Sequence, residues 1–316
     1  MKKFIITQLT LIVIFMPDRA LTKTTKTADE NCKMSSVLKS LLYSESGWVK
    51  VHVAEYLIWS MSFLPEVKEE FMKEETLFSG EFQYRIGIWR VLAQVADTPE
   101  ERQTWITKIR DVYDTIDSPD RLHAIETLAK LKVPVIGSNP PLTEIDIRTI
   151  SPFNIYSLWS AAYSLTIGMD FVRTQCLVWL KMCQTYDREA VIPIISYVLR
   201  YLRPFSEEDW QELLNITEEF DGATSTRASL CTTAWITAPN VNHKDLVGIK
   251  QWLMASRTDP STLIHVLNGI SERGGPGEAR ILSSIYASVS DSSKPGYDAD
   301  THATAAYAVL MYSSHD

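Results

Sequence analysis

Glycine is scarce in this chain, at 12 of 316 residues, while Leu, Ala, Glu and Lys are plentiful. That balance favours helix over sheet. Alternating strand-like patterns are rare as well. Val191 to Val198 suits a strand by composition, but Leu199 to Leu202 continues it in helical register. A long basic run is missing, and the net charge is -8. Phosphate contacts need clustered Lys and Arg, so nucleic acid is a poor partner. The negative charge better serves to keep a long surface soluble. Catalytic signatures are missing too: no H-E-x-x-H, no P-loop, no G-x-S-x-G and no G-x-G-x-x-G. Neither an enzyme nor a cofactor is expected on these grounds.

Cysteine is sparse, with four residues: Cys32, Cys176, Cys183 and Cys231. On one helix, Cys176 and Cys183 would stand about 10 Å apart along the axis, too far for a bridge. Buried small hydrophobes are the simpler reading, and no paired C-x-x-C spacing invites zinc.

The N-terminus has the layout of a secretory leader over residues 1–22. Met1-Lys2-Lys3 is a basic head, Phe4 to Phe15 an apolar stretch, and Met16-Pro17-Asp18 ends it. That run is short for a bilayer, and no later run is long enough to span one. Ala20-Leu21-Thr22 is the nearest cleavage pattern. Residues 23–34 read as a polar linker and 35–316 as the folded unit, exported to the periplasm or beyond. Asp29-Glu30-Asn31 lacks the residues of a lipoprotein signal, which argues against an anchor at Cys32.

What the chain does contain is an internal repeat. Lys50 to Leu57 resembles Arg121 to Leu128 at an offset of 71, and half that offset lands on Arg85 to Leu92. A basic residue opens each copy (Lys50, Arg85, Arg121) and an aliphatic follows (Val51, Ile86, Leu122). A charge comes later (Glu55, Arg90, Glu126), and a leucine closes (Leu57, Leu92, Leu128). This spacing makes one apolar stripe of a helix. Weaker copies follow at Ser157 to Leu165, Thr226 to Cys231 and Asp300 to Ala305.

Second helices lie between the copies, over Pro65 to Thr76, Pro99 to Val112 and Phe205 to Phe220. Thr98-Pro99-Glu100-Glu101 predicts a capped start, and Ser118-Pro119-Asp120 and Ser206 follow the same logic. Loops are expected at Gly137 to Pro141, Gly274 to Gly277 and Ser290 to Asp300. Two helices per roughly 35 residues predict an all-α, right-handed α-α superhelix of stacked antiparallel pairs, a HEAT-like solenoid.

The stretches Gly47 to Glu55, Tyr84 to Ala93 and Pro119 to Ala129 resemble the HEAT-like repeat family. More narrowly, they are similar to a helical-repeat segment joined to sodium:solute symporters in some bacteria. The similarity runs from about residue 35 onward and is most specific before residue 135. It implies a helical module outside the cytoplasm beside a transporter. No membrane-spanning run follows Asp316, so any transport role is expected to be accessory to a separate partner. The resemblance carries over no catalytic residue.

The candidate residues lie on the repeated helix. His52/Glu55 and His123/Glu126 are two H-x-x-E pairs, each on one helical face. Two repeats apart, they stand roughly 20 Å from each other at 8–10 Å per helix, which excludes one shared metal. Glu55, Arg90 and Glu126 instead predict a minus-plus-minus ladder setting repeat register. As exposed pairs its members would contribute about 0–1 kcal/mol each. Lys50, His52, Arg85, Arg121 and His123 complete this candidate register or binding face. Trp48, Trp89 and Trp159 are the candidate aromatic contacts, although aromatics at helical spacing more often form core.

The functional expectation is a non-catalytic, extracytoplasmic protein-binding scaffold. Its partner would be a cell-envelope protein such as a membrane transporter, with a glycan as another ligand class. The alternative is a glycan-active helical toroid enzyme, which needs two carboxylates about 5–10 Å apart in a central cavity. Shape separates the two: an open arc supports the scaffold, and a closed barrel with facing carboxylates supports the enzyme.

Overall fold

A computed structural model describes residues 25–135, 145–240, 242–275 and 278–312. The leader expected at 1–22 and the loop expected at Gly137 to Pro141 lie outside the described residues. Among those described, fifteen α-helices and two short 3-10 turns make up the regular structure, and there is no strand. The described part of the chain is all-α.

The helices fall into two sets by their contacts. Eight carry the repeated stripe: α2 (Gly47–Trp59), α4 (Tyr84–Gln94), α6 (Arg121–Lys130), α7 (Pro152–Ala161), α9 (Ile192–Leu199), α11 (Thr224–Thr237), α13 (Pro260–Arg273) and α15 (Ala299–Tyr312). Each packs on the next in that order. Flanking them are α1 (Thr25–Ser44), α3 (Leu64–Phe78), α5 (Pro99–Asp114), α8 (Met169–Thr185), α10 (Glu207–Glu219), α12 (Leu246–Ser256) and α14 (Ala279–Val289). Covered from several sides, α11 and α15 are buried almost around their circumference. Flanking helices such as α10 and α14 bury only one stripe.

The order of packing returns to its start. α15 packs against α1 and α2 as well as α13 and α14. An open row of pairs would leave its first and last members apart, so the eight helices form a ring. The open arc that a near-regular period suggests is not what the chain builds.

The period itself reappears in bonds between successive pairs. Glu55 to Arg90, Arg85 to Asp120 and Trp59 to Gln94 each span 35 residues. Arg200 to Thr233 and Thr232 to His265 span 33, and Arg173 to Asp209 spans 36. The closing leucines Leu57, Leu92 and Leu128 are fully buried.

Two glycines mark close approaches between successive inner helices. A Cβ on Gly87 would stand 2.9 Å from Val51 and 3.1 Å from the Trp48 ring, and one on Gly269 2.4 Å from the Trp235 ring. Each time, a tryptophan of one inner helix lies on a glycine of the next. In α15 the fully buried Ala303, Ala305, Ala306 and Ala308 serve the same close packing.

Local expectations differ from the structure at three places. α1 already begins at Thr25, so most of the stretch read as linker is helix, continuous with the turns that bury Met34, Leu38 and Leu42. Leu165, expected to close the fourth copy, is fully exposed past the end of α7, where Leu158 is buried instead. Ser118 does not cap α6; its hydroxyl donates to Asp120 Oδ1 at 2.6 Å, and that carboxylate receives Arg85. Thr98 and Ser206 do cap α5 and α10, accepting from the amides of Glu101 and Asp209.

Candidate functional site at the centre of the ring

The basic residues that open the three copies are tied to neighbouring elements. Lys50 Nζ sits 2.8 Å from Glu70 and 2.7 Å from Glu74 of α3. Burial alone would depress its pKa, but the two carboxylates outweigh it and raise it. Arg85 Nε donates to Asp120 at 2.7 Å, and its guanidinium lies over Phe82 and Trp89. Arg121 donates to the Tyr113 carbonyl and packs over Phe153. These three hold the ring together and are not free to take a ligand.

His52, Gly87 and His123 share one environment, built by Trp48. The indole stacks on His123 at 5.6 Å, tilts toward His52 at 6.4 Å and covers Gly87. His52 Nδ1 also lies 2.9 Å from Asp300 Oδ1 of α15. The two histidines therefore flank a tryptophan rather than a metal-sized gap.

One turn further along lies the charged row. Arg90 meets Glu55 with two parallel bonds, Nε to Oε1 at 2.8 Å and Nη2 to Oε2 at 2.9 Å, and Gln94 adds a third at 3.0 Å. Glu126 pairs with Lys130 at 2.8 Å and lies within electrostatic reach of Arg90. Arg90 is 1% exposed and Glu55 5%, so this is a buried row and not the exposed ladder the sequence suggested. Burial would push both acids up; Arg90 and Lys130 outweigh it and hold Glu55 and Glu126 below the usual carboxylate range.

Aromatic residues fill the remaining positions. Tyr56 stacks on Tyr307 of α15 at 4.6 Å, and its hydroxyl lies 2.8 Å from Thr304 Oγ1. The Tyr197 and Tyr201 hydroxyls, at α9 and just past it, are 2.8 Å apart. Trp159 packs edge-on to Tyr197 and donates to the Tyr163 hydroxyl. Tyr197 is close enough to sense Glu55, Glu126 and Arg90, and Tyr201 senses Glu55 and Lys130. In an eight-membered ring α9 stands opposite α2, so these side chains meet across a narrow centre.

Of the candidate aromatics, Trp159 and Trp89 are buried, and Trp89 donates to Glu75. The surface available at the centre belongs instead to partly exposed Tyr56, Trp59, Tyr156, Tyr197 and Tyr201, with Gln94, Glu126 and Lys130 between them. Sequence reading missed the tyrosines. Their signal was the i, i+3, i+4 spacing of Tyr197, Arg200 and Tyr201, which repeats that of the earlier copies without their residue types.

A concavity lies on the flank. It is a shallow groove of about 660 Å³ lined by Phe82, Arg85, Trp89, Lys108, Asp111 and Pro119, among others. Its cations are already bound, Arg85 to Asp120 and Lys108 to Glu75. Cys176, Cys183 and Cys231 are free and buried, and burial pushes the Cys183 thiol up to about 11. No group of three His, Cys, Asp or Glu suited to a metal occurs among the described residues. Nor is any described helix long and apolar enough to cross a membrane. Comparison with protein-family models, curated proteins and solved structures returned no match.

Proposed function

We propose that this chain is a non-catalytic binding protein outside the cytoplasm that holds a small polar solute against the centre of its helix ring. The observation that carries this reading is the convergence of Tyr56, Trp59, Tyr156, Tyr197 and Tyr201, all partly exposed, beside the Gln94, Glu126 and Lys130 side chains. Flat aromatic faces with planar hydrogen-bonding groups between them suit saccharides and similar solutes. The pairs are of the HEAT-like antiparallel kind, wound to closure instead of along an open right-handed superhelix.

The charged row speaks against the glycan-active enzyme. Glycoside hydrolysis needs one carboxyl kept protonated. Glu55 and Glu126 are both bound to cations and held ionised. A protein partner in the cell envelope remains part of the proposal. Beside a membrane transporter, the partner that the symporter-linked resemblance implies, such a ring would present the solute rather than transport it.

The experiment is a thermal-shift panel of neutral mono- and oligosaccharides and polar amino acids on the full chain. Solutes that raise the melting temperature should lose at least half of that effect in Trp59→Ala and keep it in Leu77→Ala, an exposed residue of α3. Effects that survive Trp59→Ala unchanged would contradict the assignment.

A further inference from the structure

The charges at the ring centre balance on one side only. Glu55 answers Arg90 and Glu126 answers Lys130. Across the centre, Arg200 follows α9 with 9% of its surface exposed. Its Nε donates to Thr233 Oγ1 at 2.9 Å, and its Nη2 reaches the carbonyl and hydroxyl of Ser229, each at 3.3 Å. All three acceptors are uncharged, and Nη1 takes part in none of these bonds. Glu272, the acid among the described residues whose charge reaches Arg200, is bound to Arg203 at 3.5 Å.

A buried cation without a counter-ion is costly, and proteins rarely keep one without use. Burial pushes the Arg200 pKa down to about 10 even so. Nearby His265 of α13 has a buried Nδ1 with no partner. Burial first, and then Arg200, push its pKa down to about 4. Arg200, whose Nη1 lies outside these bonds, and His265, whose unpartnered Nδ1 can carry a proton to donate, thus stand on either side of α11, each bonded to it, with the Tyr197 and Tyr201 hydroxyls bonded to each other next to Arg200. Such a set is complementary to an oxyanion, which a guanidinium binds through parallel N–H groups.

We propose that Arg200 and His265 form a binding site for the oxyanion of a small ligand, a carboxylate or a phosphate, which becomes the counter-ion that the described residues do not supply. This deepens the reading of the ring centre as a ligand face and rests on it. The neutral part of the ligand lies on the tyrosines and its anionic group against Arg200.

The test uses sodium glucuronate, inorganic phosphate and glucose with the full chain at constant ionic strength in chloride. Glucuronate or phosphate should raise the melting temperature at millimolar concentration, and the stronger of the two names the source of the oxyanion. Arg200→Met should abolish the rise. Without ligand that variant should melt at or above the parent temperature, because Thr233 and Ser229 keep their bonds to Ser196. No rise with either anion, or the same rise in Arg200→Met, would overturn the site. Independently of any variant, the His265 ring resonances of the parent protein should move on titration with the effective anion; unmoved resonances overturn it too. Neutral saccharides that bind through Trp59 while both anions fail would remove the oxyanion site alone. If nothing in either panel binds, the ligand face falls with it.

Discussion

Tyr56 of the first inner helix and Tyr307 of the last lie nearly parallel, 13° apart in plane with ring centroids at 4.6 Å. Their stacking, the Tyr56 bond to Thr304 and the His52 bond to Asp300 form the seam that closes the ring. A chain whose neighbouring pairs touch only neighbours gains nothing from such contacts; a closed one depends on them. Tyr307→Ala should therefore cost about 3 kcal/mol or more, by loss of buried aromatic packing. Tyr56→Phe should cost about 1 kcal/mol, by loss of the hydroxyl bond. Urea unfolding monitored by circular dichroism gives both values, and near-equal costs would contradict the seam.

The Glu55–Arg90 pair yields a prediction opposite to that for an exposed ladder. Arg90→Met leaves Glu55 buried and should cost about 3–5 kcal/mol. Combining it with Glu55→Leu should restore most of the loss, since an apolar pair of similar volume is tolerated where half of an ion pair is not. A double-mutant cycle with additive losses would show that the two residues act separately.

Gly87→Ala sets two effects against each other. Alanine gains about 1 kcal/mol in helix propensity. Its Cβ would press on Val51 and Trp48, both held by the contact between α2 and α4. Overpacking of this kind costs about 1–3 kcal/mol and should win. Gly269→Ala, facing the Trp235 ring at 2.4 Å, should cost more than Gly87→Ala. The comparison needs only two melting curves.

Stability should fall in mild acid. Burial lowers the pKa of His123, His265 and His302 in the fold, so the unfolded chain binds more protons. The contribution is complete above the unfolded histidine value near 6.5 and is lost as pH falls through the folded values, about 4 for His265. For His265 the loss is on the order of 3 kcal/mol. Glu55 and Glu126, also lowered, add to the loss at still lower pH. His265→Gln should flatten the decline between pH 6.5 and 4. A slope unchanged by that substitution would place the proton uptake elsewhere.

Much of the architecture could be read from residue order. The stripe shared by Lys50, Arg85 and Arg121 located α2, α4 and α6, because one buried face per helix leaves a periodic trace. The Glu55–Arg90 contact followed from the same register. Closure could not be read, because ring or arc depends on the tilt between pairs. Close approaches set that tilt, at Gly87 under Trp48 and at the alanines of α15, and they act across the whole chain. Depth was also invisible: Glu55 and Arg90 look like surface charges until their neighbours cover them. Arg200 escaped notice because its copy kept the repeat spacing but not the residue types.

The ring is tested most directly by the distance between its first and last pairs. Spin labels at exposed Ser40 of α1 and Ser284 of α14, in a Cys32→Ser background, report it by pulsed electron resonance. Because α1 and α14 both pack on α15, a single short distance of about 20–30 Å is expected. An open row of eight pairs at about 10 Å per step would instead place the labels on the order of 70 Å apart, and that result would contradict closure.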